Sequence, residues 1–227
     1  MNFVLKVLPH QEEARKWPPI LVGAHYDTVP GTPGADDNAS GLAVLLELAR
    51  HAVAHPPRRP VWFVAFDMEE YGLLGSQAYA AELKSVGQPL RLMLSLEMLG
   101  YCDRTPHSQR YPSPLLRPFY PNTGNFVALI GNLAAIPDLI WLKRCLQQAG
   151  AQGQWLPVPQ QGKLIPAVRR SDHAPFWDQG YRAVMVTDTA FLRNPHYHKA
   201  SDTLATLDLT FMAQACLGLM QALERLT

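Results

Sequence analysis

Five short apolar runs recur along the chain, each followed by turn-forming or charged residues. They are ILVGAH (20–25), VWFVAF (61–66), LMLSLE (92–97), FVALIG (126–131) and AVMVTD (183–188). Runs of this length that are apolar on both faces are typical of inner strands in a mostly parallel sheet covered by helices. The pattern therefore predicts five buried strands.

Between these runs the apolar spacing changes to that of a helix. Apolar residues recur at helical intervals over 42–53, after a start signal at Asn38 or Ser40, and again over 209–223. Strands that alternate with helices predict an α/β fold. We expect a three-layer sandwich with a mostly parallel, mixed and twisted sheet and helices on both faces. The long segment 101–124 is interpreted as a functional loop.

The composition limits the class of protein. Hydrophobic residues make up 48% and charged residues 17% of the 227 residues, and the formal net charge is +1. These values are typical of one globular domain, 1–227, and argue against disorder. The chain has no basic block that would indicate nucleic-acid binding, and no apolar run of the roughly 18 residues that a membrane span needs.

The start of the chain and its cysteines bear on the compartment. The first residues do not have the pattern of a secretory signal. Cys102, Cys145 and Cys216 are odd in number and widely spaced, so they form no recognisable disulfide or metal pattern. We therefore predict reduced thiols and a cytoplasmic protein.

Residues of types that bind metals occur at the carboxyl ends of four predicted strands, where open α/β sheets form their sites. They are His25, Glu69, Glu70, Glu97 and His198. The loop after the first strand, GAHYDTVPGTPGADDNASG (23–41), adds aspartates among glycines and prolines. This recurrence at successive strand ends favours a metal site over a chance distribution.

The candidate ligands are more numerous than one catalytic zinc requires, which predicts two Zn²⁺ ions. They are His25, Asp36, Glu70, Glu97 and His198. Asp36, in the glycine-bracketed loop, is predicted to bridge both ions. Three carboxylates and a bridging hydroxide would neutralise two Zn²⁺, whereas without metal the carboxylates would repel one another.

Two further acidic residues are assigned to catalysis. Glu69 is predicted to hold a proton from the activated water and pass it to a leaving amine. Asp27 lies two residues after His25 and is expected to accept the N–H of that imidazole, which would fix its tautomer. Together these residue types indicate hydrolysis of an amide.

Taken singly, the same residues have ordinary structural explanations. The acidic loop has turn-forming composition, and Glu69–Glu70 is typical of a helix N-terminus. Ser171, Asp172 and His173 are consecutive, so they cannot line up as a nucleophile triad. Only the order of the candidates along the chain favours a catalytic site.

Five segments resemble, in content, order and spacing, the signature segments of the M28 family of dizinc aminopeptidases from about residue 19 to the end. They are GAHYDTVPGTPGADDNASG, FDMEEYGLLGS, SLEMLGY, RRSDHAPFWDQGY and NPHYHKASDT.

The resemblance implies a role for each matching residue. His25, Asp36 and Glu97 would hold one zinc, Asp36, Glu70 and His198 the other, and Glu69 would be the general base and acid. It also implies a cis peptide between Asp36 and Asp37, and substrates that are peptides with a free N-terminus.

Two departures from the family qualify what the resemblance implies. Members usually have a helical segment and a strand before the motif-bearing core, whereas this chain starts almost directly on a strand. An exposed apolar sheet face or edge would then favour homo-oligomers. No tyrosine precedes the SDH segment, so Arg169, Arg170 and His173 are the candidates for binding substrate or the oxyanion.

Two other functions fit the same fold. A glutaminyl cyclase-like acyltransferase would use one zinc, and it would cyclise a Gln-peptide without releasing an amino acid. A non-catalytic binding module would contain no zinc. The complete set of ligands and base favours the peptidase, while the side-chain specificity is left open.

Overall fold

The computed structural model describes residues 1–226 as a seven-stranded sheet with five α-helices and several short helical turns. The strands are β1 Phe3–Val7, β2 Ile20–His25, β3 Val61–Phe66, β4 Leu92–Glu97, β5 Phe126–Asn132, β6 Gln152–Val158 and β7 Ala183–Thr187. The helices are α1 Gly41–Ala54, α2 Leu74–Ser85, α3 Ile136–Gln148, α4 His173–Asp178 and α5 Leu209–Leu226.

The strand directions bring the predicted site residues to one edge. The order across the sheet is β1-β3-β2-β4-β7-β5-β6. Strands β3, β2, β4 and β7 are mutually parallel, while β1 is antiparallel to β3 and β5 is antiparallel to β7. The carboxyl ends of the four parallel strands therefore meet at the same edge of the sheet, where sites of open α/β folds form.

Helices cover both faces of the sheet, which confirms the predicted three-layer α/β architecture. Residues Ile20, Val22 and Ala24 of β2 face one core, which α1, α3 and α5 complete. Leu21 of the same strand faces the other core, which is completed by residues of α2 and α4. Alternate residues of a buried strand thus enter different layers, as the two-residue period of a strand requires.

All five predicted strands are present, and both predicted helices form as α1 and α5. The pattern did not predict β6, because its sequence QGQWLPV mixes polar residues and a proline, as edge strands do. Segment 101–124 contains only a short helical turn, Pro114–Leu116, and an isolated bridge between Asp103 and Gly124.

Cys102, Cys145 and Cys216 form no disulfide. None of the helices within residues 1–226 combines the length and the hydropathy needed to cross a lipid bilayer.

Candidate metal centre

Six side chains with metal-binding atoms converge at the carboxyl edge of the sheet in two groups of three. The inner group is His25, Glu69 and Glu97, and the outer group is Asp37, Glu70 and His198. Within each group the potential ligand atoms all lie within 4.8 Å of one another. Four of the five predicted ligands belong to these groups.

Asp37 lies between the two groups. Its Oδ1 is 3.4 Å from Nε2 of His25, and its Oδ2 is 3.1 Å from Nε2 of His198. The Nε2 atom of His25 is also 3.5 Å from Oε2 of Glu97, and that of His198 is 3.3 Å from Oε2 of Glu70. One carboxylate thus presents each of its oxygens to a different histidine.

Asp37, rather than the predicted Asp36, therefore lies between the two histidines. Both oxygens of Asp36 are occupied by donors within the protein: the Gly100 N–H at 2.9 Å and the Asn194 amide at 2.7 Å. Asp36 is completely buried, and its carboxylate belongs to neither group of potential ligands. The predicted cis peptide is also one residue displaced, since it joins Asp37 to Asn38.

The inner group is fixed by the ends of β2 and β4. His25 is the last residue of β2, and its Nδ1 lies 3.0 Å from the backbone oxygen of Asp27. Glu97 is the last residue of β4, and its Oε2 accepts a hydrogen bond of 2.8 Å from the Ser171 hydroxyl. These contacts orient Nε2 of His25 and the Glu97 carboxylate towards the same space.

The carboxylate of Asp27 faces the His25 imidazole, as predicted for it, and also holds the backbone of two glutamates. It lies 3.6 Å from Nδ1 of His25, and its two oxygens accept the backbone N–H groups of Glu69 and Glu70 at 3.0 and 3.1 Å. Burial alone would raise the pKa of Asp27, but these hydrogen bonds and His25 outweigh burial and lower it. Asp27 therefore positions the two glutamates through their backbone.

Asp202 holds the segment that carries Asp37. Its two carboxylate oxygens accept the backbone N–H groups of Asp36 and Asp37 at 2.9 and 3.1 Å. Gly41 closes the same segment, and a side chain there would collide with Asn38 and the Leu96 carbonyl. The close approach explains why a glycine occupies this position.

Three non-glycine residues next to the site have left-handed backbone conformations. Met68 precedes Glu69 with φ 56°, Met98 follows Glu97 with φ 48°, and His198 itself has φ 57°. Such conformations cost free energy for residues with side chains and occur where the surrounding structure enforces them. The three loops are therefore held in shapes that direct their polar residues to this edge.

The clustered carboxylates perturb one another. Burial, with the charge of Glu97, raises the pKa of Glu69 to about 10. Burial, with the charge of Asp37, raises the pKa of Glu70 to about 7. Burial would lower the pKa of His25, but the neighbouring carboxylates raise it well above its ordinary value.

The donor set fits divalent cations. Nε2 of His25 and Oε1 of Glu70 are buried and have no hydrogen-bond partner among the described residues. Imidazole nitrogens and carboxylate oxygens are ligands that zinc accepts in proteins. Cations between the two groups would neutralise the excess negative charge and occupy the unpartnered atoms.

Two of the three residues predicted to bind substrate or the oxyanion are directed elsewhere. Arg169 donates to the Gln161 carbonyl and forms an ion pair with Asp178. His173 is completely buried, its Nε2 lies 2.8 Å from the Val168 carbonyl oxygen, and burial lowers its pKa to about 3. The roles predicted for Arg169 and His173 therefore do not fit the structure, because α4 and its preceding turn direct these side chains away from the metal centre.

The third residue, Arg170, lines a cleft that opens beside Glu97. The cleft contains about 810 Å³ of empty space, part of it continuous with solvent. Its walls are mostly apolar and come from β5, β7, and the loops around 109–120 and 189–197; they include Tyr111, Tyr120, Phe126, Met185 and Phe191. Segment 101–124, which was interpreted as a functional loop, thus forms part of the cleft wall through residues such as Tyr111 and Tyr120.

Tyr197 joins the cleft to the outer group. Its ring stacks on the His198 ring with centroids 3.7 Å apart, and it lines the cleft together with Glu97. Burial and the carboxylates of Asp37, Glu97 and Glu70 raise the pKa of its hydroxyl above the ordinary value. The phenol is therefore a neutral hydrogen-bond donor close to the candidate metal centre.

The family of this chain follows from a comparison with known proteins. The sequence model of peptidase family M28 matches residues 2–222. This chain belongs to peptidase family M28. It is 39% identical over 221 residues to YfbL, an uncharacterized protein of Escherichia coli (strain K12). The aligned region covers 91% of this chain and 66% of YfbL.

Solved structures share the fold. An aminopeptidase from Aneurinibacillus sp. strain AM-1 superimposes with a TM-score of 0.70 at 25% identity, covering 97% of this chain and 46% of that one. A glutaminyl cyclase from Porphyromonas gingivalis gives 0.69 at 19% identity, covering 100% of this chain and 77% of that one. The chain thus spans about two thirds of YfbL and less than half of the Aneurinibacillus enzyme.

Residues that the sequence reasoning did not assign lie mainly in loops. Asp37 stands next to Asp36 in an acidic pair, and spacing alone does not show which of the two faces the histidines. Asn194 and Tyr197 precede His198 in the segment NPHYH. Both residues could have been proposed as site residues from the sequence, because they lie within four positions of the predicted ligand His198.

Proposed function

We propose that this chain is a metal-dependent aminopeptidase that uses two zinc ions to remove the N-terminal residue of peptides. The observation that carries the proposal is the position of Asp37, whose two oxygens each approach a different histidine. A carboxylate in this position would be shared by two cations. His25 and Glu97 would complete one site, and Glu70 and His198 the other.

The charge of this ligand set supports two ions rather than one. Asp37, Glu70 and Glu97 together contribute three negative charges when ionised. Two Zn²⁺ ions with one hydroxide would bring the centre close to neutrality, whereas one ion would leave an excess of negative charge in a largely buried site.

The bound ions would polarise the substrate carbonyl and lower the pKa of the attacking water. Glu69 lies beside His25 and Glu97 but is not needed as a ligand in this scheme. Its carboxylate would take a proton from the attacking water and deliver it to the nitrogen of the departing amine. Asp27 would hold Glu69 in place by accepting its backbone N–H.

Tyr197 is the residue that we propose for the oxyanion in place of Arg169 and His173. A neutral phenol at the edge of the cleft could donate a hydrogen bond to the carbonyl oxygen as negative charge develops on it. Tyr197→Phe would remove that donor and keep the ring that stacks on His198. We expect kcat to fall roughly 10²–10³-fold with little change in KM. An unchanged kcat would exclude this role for Tyr197.

The cleft beside Glu97 indicates the substrate class. Its apolar walls suit the side chain of a large apolar or aromatic N-terminal residue, because burial of such a side chain is favourable. The tyrosine hydroxyls of Tyr111 and Tyr120 are bonded to the carbonyls of Pro121 and Trp155. The walls therefore offer few free polar groups to a polar side chain.

The experiment that tests the proposal joins metal counting with an assay on aminoacyl p-nitroanilides, before and after chelation. We expect two zinc ions per chain, with hydrolysis that is lost on chelation and restored by zinc. The kcat/KM values for Phe and Leu p-nitroanilides should be higher than those for Asp and Lys p-nitroanilides. Cyclisation of a Gln-peptide with no release of amino acids would instead indicate an acyltransferase, and zinc-free protein purified without chelator would indicate a binding module.

A further inference from the structure

Arg170 is a cation without an anionic partner at the cleft beside Glu97. It is exposed, and among the described residues that line the cleft it is the one with a positively charged side chain. In the part of the chain that the structure describes, its guanidinium contacts the ring of Phe191 and forms no ion pair. A charge left free at a cleft is available to a ligand of opposite charge.

The neighbouring Arg169 shows how an arginine of this segment is engaged when it stabilises the fold. It donates to the Gln161 carbonyl at 2.7 Å and pairs with the Asp178 carboxylate at 2.6 Å. Its charge is thereby neutralised at the end of α4. Arg170 has no contact of this kind, so its position at the cleft is not explained by an internal ion pair.

The ring of Phe191 supports the Arg170 guanidinium. Cζ of Arg170 lies over this ring at 4.9 Å from its centroid, and Arg110 donates to the Phe191 carbonyl at 3.3 Å. A guanidinium that lies over an aromatic face keeps N–H groups free at its edge. Its planar fork matches the two oxygens of a carboxylate, so a carboxylate is the ligand that this group recognises best.

Arg170 also lies close to the candidate metal centre. The Phe191 ring is 5.8 Å from the Tyr197 ring, which in turn stacks on His198. Asp37 raises the pKa of His198, and the charge of Arg170 opposes that rise. The guanidinium is therefore within electrostatic reach of the outer group, where the scissile bond would be bound.

We propose that Arg170 binds the C-terminal carboxylate of short peptides, so that the chain favours substrates of two to four residues. The proposal rests on the aminopeptidase function proposed above, in which Tyr197 marks the position of the scissile carbonyl. The path from Tyr197 over Phe191 to the guanidinium corresponds to about three residues of extended chain, at about 3.3–3.6 Å per residue. The first side chain would occupy the apolar cleft, and the carboxylate would meet Arg170 at the exposed end.

The test compares peptides that differ in one charge. On the zinc-loaded wild-type protein, kcat/KM for leucyl-alanine and leucyl-alanyl-alanine should be about 10–100-fold higher than for their C-terminal amides, because bidentate, charge-assisted hydrogen bonds are strong. A hexapeptide with the same first residue should show no such preference, since its carboxylate lies beyond Arg170. A wild-type protein that hydrolyses the acids and the amides equally well would overturn the proposal.

Variants of Arg170 assign the preference to this side chain. Arg170→Gln should bring the acid-to-amide ratio of kcat/KM to about one, whereas Arg170→Lys, which keeps the charge but not the fork, should retain part of it. Arg50→Gln removes an exposed positive charge of α1 and is the matched control, with an unchanged ratio. A ratio that Arg170→Gln leaves unchanged would overturn the proposal. Loss of activity only on peptides with an N-terminal Glu would also overturn it, because Arg170 would then bind the first side chain.

A binding measurement separates this proposal from the proposed function. Calorimetric titration of zinc-loaded Glu69→Gln protein, which should hydrolyse peptides too slowly to interfere, gives Kd for leucyl-alanine and for its amide. Tighter binding of the acid, lost when Arg170→Gln is added, would support the role of Arg170 even if the wild type hydrolysed neither peptide. Equal Kd values, with hydrolysis of both peptides by the wild type, would overturn that role and leave the aminopeptidase function standing.

Discussion

The inner and outer groups of the candidate metal centre are built in different ways. His25 and Glu97 are buried and end two neighbouring strands, so the sheet itself sets the distance between them. Asp37, Glu70 and His198 come from three irregular segments, and the His198 side chain is partly exposed. His25 and Glu97 of the inner group are thus part of the sheet, whereas the outer group depends on loops held by hydrogen bonds.

This difference shows where rigidity in the site originates. Strand positions are fixed by ladder hydrogen bonds and by burial on both faces. Loop positions depend on a few polar contacts, such as the Asp202 carboxylate on the N–H of Asp37. We therefore expect the inner group to bind its ion more tightly and the outer group to exchange its ion more readily.

The largest expected effect is that of Asp37→Ala, which would break both halves at once. Removing the shared carboxylate should lower the zinc content of both sites and reduce hydrolysis to the level of chelated protein. Asp178→Ala, which removes an exposed carboxylate paired with Arg169, is the control and should keep both ions. A variant at Asp37 that retained two zinc ions would contradict the bridging role.

The next effect in size is that of Glu69→Gln. The amide cannot accept the proton, so turnover should fall roughly 10²–10⁴-fold while both zinc ions are retained. Metal analysis and kcat measured on the same preparation check this expectation. Glu82→Gln, at an exposed position of α2, should be unchanged, and full activity of the Glu69 variant would show that the base is another group.

A smaller effect is expected for Ser171→Ala. The Ser171 hydroxyl orients Glu97 Oε2, so its loss should weaken zinc binding in the inner half about 10–100-fold. Zinc titration against a competing chelator measures this change. Ser85→Ala, at the exposed end of α2, should behave as wild type. Weaker binding only in the outer half would contradict the assignment of Glu97.

The smallest effect expected is a difference in the rates at which the two ions leave. Because His198 is partly exposed and His25 is completely buried, a chelator should remove the outer ion first. Stopped-flow release measured with a zinc-sensitive dye should show two phases. His198→Ala should abolish the faster phase and retain the slower one. Loss of the slower phase instead would show that the ion bound by His198 is the one that leaves more slowly.

The same contrast explains what could be predicted from the sequence. The runs at 20–25, 61–66 and 92–97 match β2, β3 and β4 in full, because strands buried on both faces leave an unbroken apolar signal. His25 and Glu97 follow directly from those strand ends. Strand β6 and helix α2 carry more polar residues and gave no such signal.

The loop residues could be predicted only in part. Asp36 and Asp37 have the same chemistry, and the choice between them depends on the Gly100 and Asn194 contacts that engage Asp36. These partners are distant in sequence and meet only in the folded chain. Similarly, Arg169 and His173 lie within a recognised segment, but in the folded chain their side chains bond to Gln161, Asp178 and Val168.

The central claim is that Asp37 is shared by two cations. Anomalous diffraction from crystals of the zinc-loaded protein, collected on both sides of the zinc absorption edge, tests it most directly. We predict two peaks, one in contact with His25 and Glu97 and one with Glu70 and His198, with an Asp37 oxygen bound to each. A single peak, or two peaks bridged by another residue, would contradict the account.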